Sequence, residues 1–442
     1  MKMSLIGASA LLMVCTTGSA WAQFQNPQAV IDRYAREGAH IAQGAMGTII
    51  TPASGIRRPD DGGHLNYTNY KILVPASLSG APSANTPFNA PPFSGYYYIN
   101  TPSSLACVYK LVAVSHGCNP DTFHTNVGGG TKAVAIVDAF DAPNVRADLQ
   151  HYATQFGLPT ITAANFVIYY CTGNTASTCA TGNAHPPYNS GWEGETSLDT
   201  QMAHALAPHA KIFLVLGVSA TDAALYAAVD KAAALVAAAG GGEVSMSFGR
   251  NEQSSDAATF DKHFKTPKVV YFASTGDAIS TSYPAVSTFV VAVGGTSVSR
   301  NPANGNFFGE ASWTLGGAGP SAFINRPSYQ PASVGAKRGT PDIAAVANPD
   351  TPVWLYISNQ GGWNASGGTS VASPVMAAIV NNSGHFRANT AAQQTLMYGA
   401  RTTAADWYDV TNGTCGPAAG YWAMAGYDFC TGIGASRGKV GK

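Results

Sequence analysis

The sequence predicts an α/β fold, a parallel sheet with helices on both faces. Three observations carry this. A continuous apolar run at 133–137 reads as a strand buried on both faces, and further strands are predicted at 211–216, 244–247, 269–273 and 288–293. Between them lie stretches with helical spacing, at 144–156, 195–207, 221–239 and 254–264. Strand and helix then alternate, which favours parallel pairing through crossovers. In such sheets the chemistry sits beyond the carboxyl ends of the strands.

The N-terminus comes first. Lys2 precedes an apolar stretch over 5–15, and Ser19-Ala20-Trp21-Ala22 is an A-x-A-like end. This predicts a Sec-type signal peptide over residues 1–22, cut after Ala22. The apolar run is too short to span a bilayer. No later run is long enough either, so the chain reads as secreted, or exported to a periplasm, and free of the membrane once the signal is gone. Residues 23–105 are rich in Pro, Gly, Ser and Asn. Only 27–42 shows a helical pattern there, and 77–102 reads as extended. This region is predicted to be a short pro-segment or N-terminal arm, with one domain over 106–442.

Composition excludes several function classes. Lys+Arg and Asp+Glu are both 24, so the formal net charge is zero and no phosphate-neutralising patch is expected. Charged residues make up only 11%, far below the usual about 25%. So few ion pairs favour tolerance of acid. Apolar residues make up 45%, enough for a sizeable core. Losing the leader removes Cys15 and leaves Cys107, Cys118, Cys171, Cys179, Cys415 and Cys430. Their clustering in an exported chain favours the local disulfides Cys107–Cys118, Cys171–Cys179 and Cys415–Cys430. No C-x-x-C occurs to suggest zinc.

The candidate nucleophile is Ser370, in Ser366-Gly367-Gly368-Thr369-Ser370. The glycines permit a tight turn, and the apolar stretch 375–380 follows as a helix with Pro374 in its first turn. A serine there is exposed to free backbone N–H groups that stabilise an oxyanion. The plainer reading is a helix cap. A serine needs a base. His204 and His209 stand in no known catalytic segment, whereas Glu195 and Asp199 share one helix face at i, i+4. Like charges that close share a proton. A solvated first turn is the plainer reading of that pair. Asp277 ends the strand over 269–273. As a neutral acid it would donate to an oxyanion, and its plainer role is a turn residue.

Together these residues resemble the sedolisin family, the serine-carboxyl peptidases of subtilisin-like fold. The resemblance spans residues 128–434. It rests on Glu195-x-x-x-Asp199, Gly276-Asp277, Gly367-Gly368-Thr369-Ser370, the stretch from Tyr283-Pro284-Ala285 to Gly294-Gly295-Thr296, and Thr340-Pro341-Asp342. It implies a monomeric, acid-active endopeptidase for protein or peptide substrates. Glu195 would be the base, oriented by Asp199. Ser370 would form an acyl-enzyme, with Asp277 holding the oxyanion. It also implies one structural calcium ion in a C-terminal loop, held by the carboxylates of Asp409 and Asp428 and the carbonyls of Val410, Met424 and Gly426. Two features depart from the family. The stretch before Cys107 is much shorter than the usual pro-domain, which argues against a folded, self-removed pro-domain. Phe248 replaces a tryptophan of many members, so no indole N–H supports a proton network through Asp138. The competing readings are a catalytically silent binding protein on the same fold and a Ser-His-Asp hydrolase using Asp138. A pH–rate profile separates the three.

Overall fold

The computed structural model describes residues 27–58, 63–76, 96–417 and 420–442. The predicted signal peptide over 1–22 lies outside them, as does 77–95 of the predicted arm.

The apolar runs assemble into an 11-stranded, mostly parallel sheet. Its parallel neighbours, in spatial order, are Ile343–Val346, Val291–Arg300, Val269–Ser274, Gly242–Met246, Ala133–Ala139, Lys211–Gly217 and Phe166–Cys171. Ala133–Ala139 is buried throughout, which is why its sequence shows no alternation. Its Val134 and Ile136 face one core with helices Val145–Phe156, Ser190–Leu206 and Thr369–Ser383. Its Ala133, Ala135 and Val137 face the other, against helix Asp222–Ala238. The chain moves outward from Ala133–Ala139 on one side, then returns to build Gly242–Met246 on its other side. That reversal opens a crevice beyond the carboxyl ends of these two strands, where α/β proteins bind ligands.

Several element bounds differ from the sequence expectation, each for a local reason. Helix Ser190–Leu206 begins five residues before Glu195. Asn189 caps it, accepting from Trp192 N at 3.1 Å, while Gly191 and Gly194 hide the spacing from a sequence reading. The helical pattern over 27–42 divides into helix Pro27–Arg36 and strand His40–Gln43. Gly38, at φ 84°, breaks it between them. The expected arm is in part integral to the fold. Strands His40–Gln43, Gly47–Thr51 and Lys71–Pro75 join the hairpin Val353–Ile357 and Gly362–Gly367 in a 5-stranded sheet. The arm's end is also helical: Thr101 caps Pro102–Val108 with a reciprocal Ser104 bond.

All three expected disulfides form, closing separations of 11, 8 and 15 residues. Each contributes roughly 2–3 kcal/mol in the chain-entropy account. A second device ties the sheet edge together. Arg338 donates to both oxygens of Asp342, at 2.8 and 2.6 Å, and both side chains are fully buried. Tyr398 Oη and Ala292 N donate to the same carboxylate at 2.7 and 2.9 Å. This gives the Thr340-Pro341-Asp342 motif a structural role, joining a strand, an adjoining loop and a helix. Removing one partner strands the other charge. Asp342→Ala, in a Ser370→Ala background, is expected to lose about 3–5 kcal/mol in urea unfolding. A loss under about 1 kcal/mol would show that the pair is not fully desolvated.

Candidate active site

Helices Ser190–Leu206 and Thr369–Ser383 pack side by side on one face of the sheet. Glu195 and Asp199 lie on the first, Ser370 in the first turn of the second, and all three are fully buried. Strand Gly362–Gly367 leads into that turn through Gly368, at φ 107°. A Cβ on Gly368 would lie 2.2 Å from Asn69 O and 2.8 Å from Asp277 Oδ2. Only glycine admits both neighbours and that backbone.

The predicted residues come together. The Ser370 hydroxyl donates to Ser247 O at 3.1 Å and stands close enough to Glu195 to act against the rise of that acid's pKa. Ser247 Oγ donates to Asp199 Oδ1 at 2.8 Å and lies 3.3 Å from Ser370 O. Sequence reasoning assigned Ser247 no role, although it directly follows the strand Gly242–Met246 at the crevice. Its hydroxyl ties the second acid to the nucleophile's helix. Glu195 Oε1 and Asp199 Oδ2 have no N–H or O–H donor among the described residues. A proton held between the two carboxyls supplies what both lack.

Electrostatics agree. Burial pushes Glu195 well above the usual carboxyl range, and repulsion from Asp199 and Asp138 adds to it. Burial likewise pushes Asp199 well up, helped by Asp138 and opposed by the hydroxyl of Ser247. Asp138, at the end of Ala133–Ala139, is raised to about 7 by burial, with the Thr196 hydroxyl acting the other way. So Asp138 does belong to the carboxyl cluster. Phe248 does not extend a polar network. It is fully buried, its ring centroid 6.4 Å from that of Trp192.

Asp277 follows strand Val269–Ser274, and its Oδ1 accepts from Thr369 N at 2.8 Å and Thr369 Oγ1 at 3.0 Å. Thr369 Oγ1 in turn accepts from Gly276 N at 3.0 Å. Asp277 therefore stands beside the helix N-terminus that carries Ser370. Burial raises its pKa, and the Lys71 ammonium, 3.8 Å from Oδ2, opposes that. The Ser370 N–H donates to a backbone carbonyl, that of Asn69, at 2.9 Å. Asn69 N lies 3.1 Å from Glu195 Oε2 and 3.2 Å from Ser370 Oγ. Nothing in the sequence near Asn69 marked it as part of the site.

Histidine is placed elsewhere. His204 is buried near the end of the Glu195 helix, with Nε2 at 2.9 Å from Pro159 O, and burial lowers it to about 4. No histidine hydrogen-bonds Ser370 among the described residues.

At the C-terminal loop, Asp409 Oδ2 accepts from Gly426 N at 2.9 Å. Asp428 accepts from the N–H groups of Met424, Cys430 and Thr431 at 2.8–3.0 Å. Both carboxylates thus grip one turn, and Cys415–Cys430 staples it. No group of three or more His, Cys, Asp or Glu side chains suited to a metal occurs among the described residues. No helix of the described residues is long and apolar enough to cross a membrane.

No family model matches the chain. Kumamolisin of Bacillus sp. strain MN-32 is 27% identical over 427 residues, covering 86% of this chain and 73% of that protein. Sedolisin of Pseudomonas sp. strain 101 is 32% identical over 179 residues, covering 36% of this chain and 29% of that protein. Xanthomonalisin of Xanthomonas sp. strain T-22 is 31% identical over 183 residues, 35% of this chain and 21% of that protein. Among solved structures, Pseudomonas sedolisin, a serine-carboxyl proteinase complexed with pseudo-iodotyrostatin, superposes with a TM-score of 0.61. It is 22% identical and covers 76% of this chain and 95% of its own. Sphericase superposes with a TM-score of 0.52 at 19% identity, covering 77% and 99%. At such identities the superpositions speak for the fold, which is subtilisin-like. By sequence and by fold the chain is thus similar to the sedolisins, the serine-type peptidases called serine-carboxyl peptidases.

Proposed function

We propose that the chain is a secreted, acid-active endopeptidase that cuts proteins through Ser370, Glu195 and Asp199 with an acyl-enzyme intermediate. The observation that carries this reading is a buried serine beside a carboxyl pair in which one oxygen of each acid, Glu195 Oε1 and Asp199 Oδ2, has no donor among the described residues unless the pair holds a proton. Export is supported by the leader-like residues 1–22 and by the three disulfides.

Glu195 takes the proton of Ser370 Oγ as that oxygen attacks a peptide carbonyl. Asp199, fixed by Ser247, holds Glu195 in place and keeps the shared proton. The backbone N–H of Ser370 and the neutral Asp277 carboxyl receive the oxyanion. Glu195 then returns its proton to the leaving amine, and water releases the acyl group. Ser370→Ala and Glu195→Ala are each expected to lower casein digestion by about 10⁴-fold or more. Asp277→Ala loses about 100-fold, the cost of one oxyanion donor. Either of the first two variants working within tenfold of wild type would remove that residue from the chemistry.

The pH dependence follows from burial. Turnover is expected to peak in acid, roughly pH 3–5, where the base pair holds one proton and Asp277 is neutral. Stability moves the same way. Burial raises Asp138 and Glu310 to about 7 and Glu243 to about 8. A carboxyl raised in the fold binds its proton more tightly folded than unfolded. Its contribution is whole below about pH 4, the unfolded value, and is lost as pH rises through 7 to 8. The thermal midpoint of Ser370→Ala protein should therefore fall between pH 4 and pH 8. A midpoint that rises over that window, with a turnover optimum at pH 7 or above, would defeat the carboxylate mechanism.

We also propose one structural calcium ion at the C-terminal loop. The donor set is oxygen only: carboxylates of Asp409 and Asp428, and carbonyls of Val410, Met424 and Gly426. Both acids reach the same turn, which supports the reading. Asp428 already accepts backbone N–H groups on both oxygens, so Asp409 and the carbonyls would give the cation its first hold. Chelator should lower the thermal midpoint at pH 6, by mass action on the folded state. An unchanged midpoint and no calcium in the protein by elemental analysis would remove the ion.

A further inference from the structure

A cavity of about 500 Å³ lies beside the strand Trp407–Tyr408, at the edge of the 11-stranded sheet. Five interstrand spacings of about 4.8 Å put that edge roughly 24 Å from the strand that ends at Ser247. It is therefore separate from the site at Ser370. Trp407 and Tyr408 pair antiparallel with Ser436 and Ala435. Helix Thr390–Ala400 ends just before Arg401, and the strand Ala435–Ser436 runs straight on to Arg437. The pairing thus brings two arginines from distant segments to one cavity. Tyr408 and Ile433 give it an apolar wall, and Asp409 of the C-terminal loop stands on its far side.

The two arginines are held but not used up. Arg401 Nη1 donates to Tyr398 O at 2.6 Å, which satisfies a carbonyl at the helix end and spends one donor of a five-donor fork. Arg437 is fixed through its backbone N–H, which donates to Asp406 O at 2.9 Å. Its guanidinium makes no hydrogen bond or ion pair among the described residues. The wall therefore carries two cations against the single carboxylate of Asp409, whose Oδ2 already accepts from Gly426 N. Of the calcium donors proposed above, only Asp409 and Gly426 touch the cavity. Two guanidiniums repel a second cation, so the cavity is not the seat of that ion. An inorganic anion alone fills a small part of the volume and leaves the apolar wall bare. A volume in the range of about 300–1,000 Å³, mostly apolar with a few charged groups, suits an organic ligand.

We propose that this cavity binds the C-terminal end of a peptide. The free carboxylate sits on Arg401 and Arg437, whose planar forks match its two oxygens. The last side chain, an apolar one, lies against Tyr408 and Ile433. An internal or amidated segment lacks that charge, so the cavity selects chain ends. The source of the ligand rests on the peptidase reading above: every cut makes one new C-terminal carboxylate, so the products of the reaction are the occupants. Binding itself needs no catalysis. A bound end bridges the helix end at Arg401, the edge strand and the C-terminal loop, three segments that meet here. A ligand held only by the folded chain stabilises it by mass action. The enzyme is thereby made more durable where it has protein to digest.

The test uses the full chain carrying Ser370→Ala, with calcium held constant, at pH 5, where a peptide carboxyl of pKa about 3.3–3.7 is ionised. Calorimetric titration compares three probes: an acetylated Ala-Ala-Leu tripeptide with a free carboxylate, the same tripeptide as its amide, and sodium sulfate. The free acid is expected to bind with a Kd of about 1 mM or tighter and to raise the thermal midpoint. The amide and sulfate bind about tenfold more weakly or worse, as the loss of a charge-assisted contact or of the apolar one demands. Arg437→Gln weakens the free acid by about tenfold or more, with its own midpoint unchanged when no peptide is present. No binding of the acid, or equal binding of acid and amide, or of acid and sulfate, overturns the inference. Undiminished binding to Arg437→Gln also overturns it, because the peptide is then held elsewhere, as in the groove at Ser370. The acid–amide comparison alters no cavity residue, so it decides the matter even where Arg437→Gln unfolds. Casein digestion by the unsubstituted chain is measured alongside. Digestion without peptide binding overturns the cavity and leaves the peptidase reading standing, whereas binding without digestion upholds the cavity and removes the reaction as the source of its ligand.

Discussion

The structure turns on carboxyl groups buried without a countercharge. Glu195, Asp199 and Asp138 are all fully buried in one crevice. The desolvation of an ionised carboxylate is severe, and a low-dielectric neighbour of the same sign makes it worse. No cation lies among the hydrogen-bond partners of these three among the described residues. The cluster is therefore stable only while it holds protons. That one condition sets which form of the site exists, at which pH, and why a carboxylate serves as the base there while His204 stands near the other end of the helix, against Pro159 O.

The fold produces the cluster by bringing four chain segments to one point. The sheet's reversal puts Asp138 and Ser247 at adjacent strand ends. Helix Ser190–Leu206 crosses above them with Glu195 and Asp199 one turn apart. Helix Thr369–Ser383 delivers Ser370 with its first-turn N–H groups free of helical bonds. Ser247 links the two helices through its hydroxyl and its carbonyl. Asp277 enters from a fifth segment and is locked by Thr369, the residue before the nucleophile. The oxyanion acid and the nucleophile therefore share one rigid turn.

What the sequence revealed divides along contact range. Glu195 with Asp199, and Gly367 through Ser370, are local patterns, so spacing and turn chemistry exposed them. The parallel strands were legible because strands buried on both faces carry unbroken apolar runs. Ser247 was harder to read. A serine after a strand is common, and only the packing of two distant helices gives its hydroxyl a task. Asn69 was not legible at all. Its role depends on pairings with residues near 248 and near 366, far along the chain. The apolar run Ile72-Leu73-Val74 did signal a strand, but a Gly- and Pro-rich neighbourhood disguised it as part of an arm.

The position of the nucleophile then follows from one geometric fact. The main-chain edges flanking the site are those of the strand Phe248–Asn251 and of the strand Gly362–Gly367, and residues 67–68 and 71–73 pair with them. Strand edges take up extended chain. A segment that completes both edges at once has to cross the gap between them, and Ser370 stands in that gap. The strand Gly362–Gly367 runs through Gly368 straight into the turn of Ser370, so the edge that holds an extended chain and the turn that carries the hydroxyl are one continuous piece of backbone.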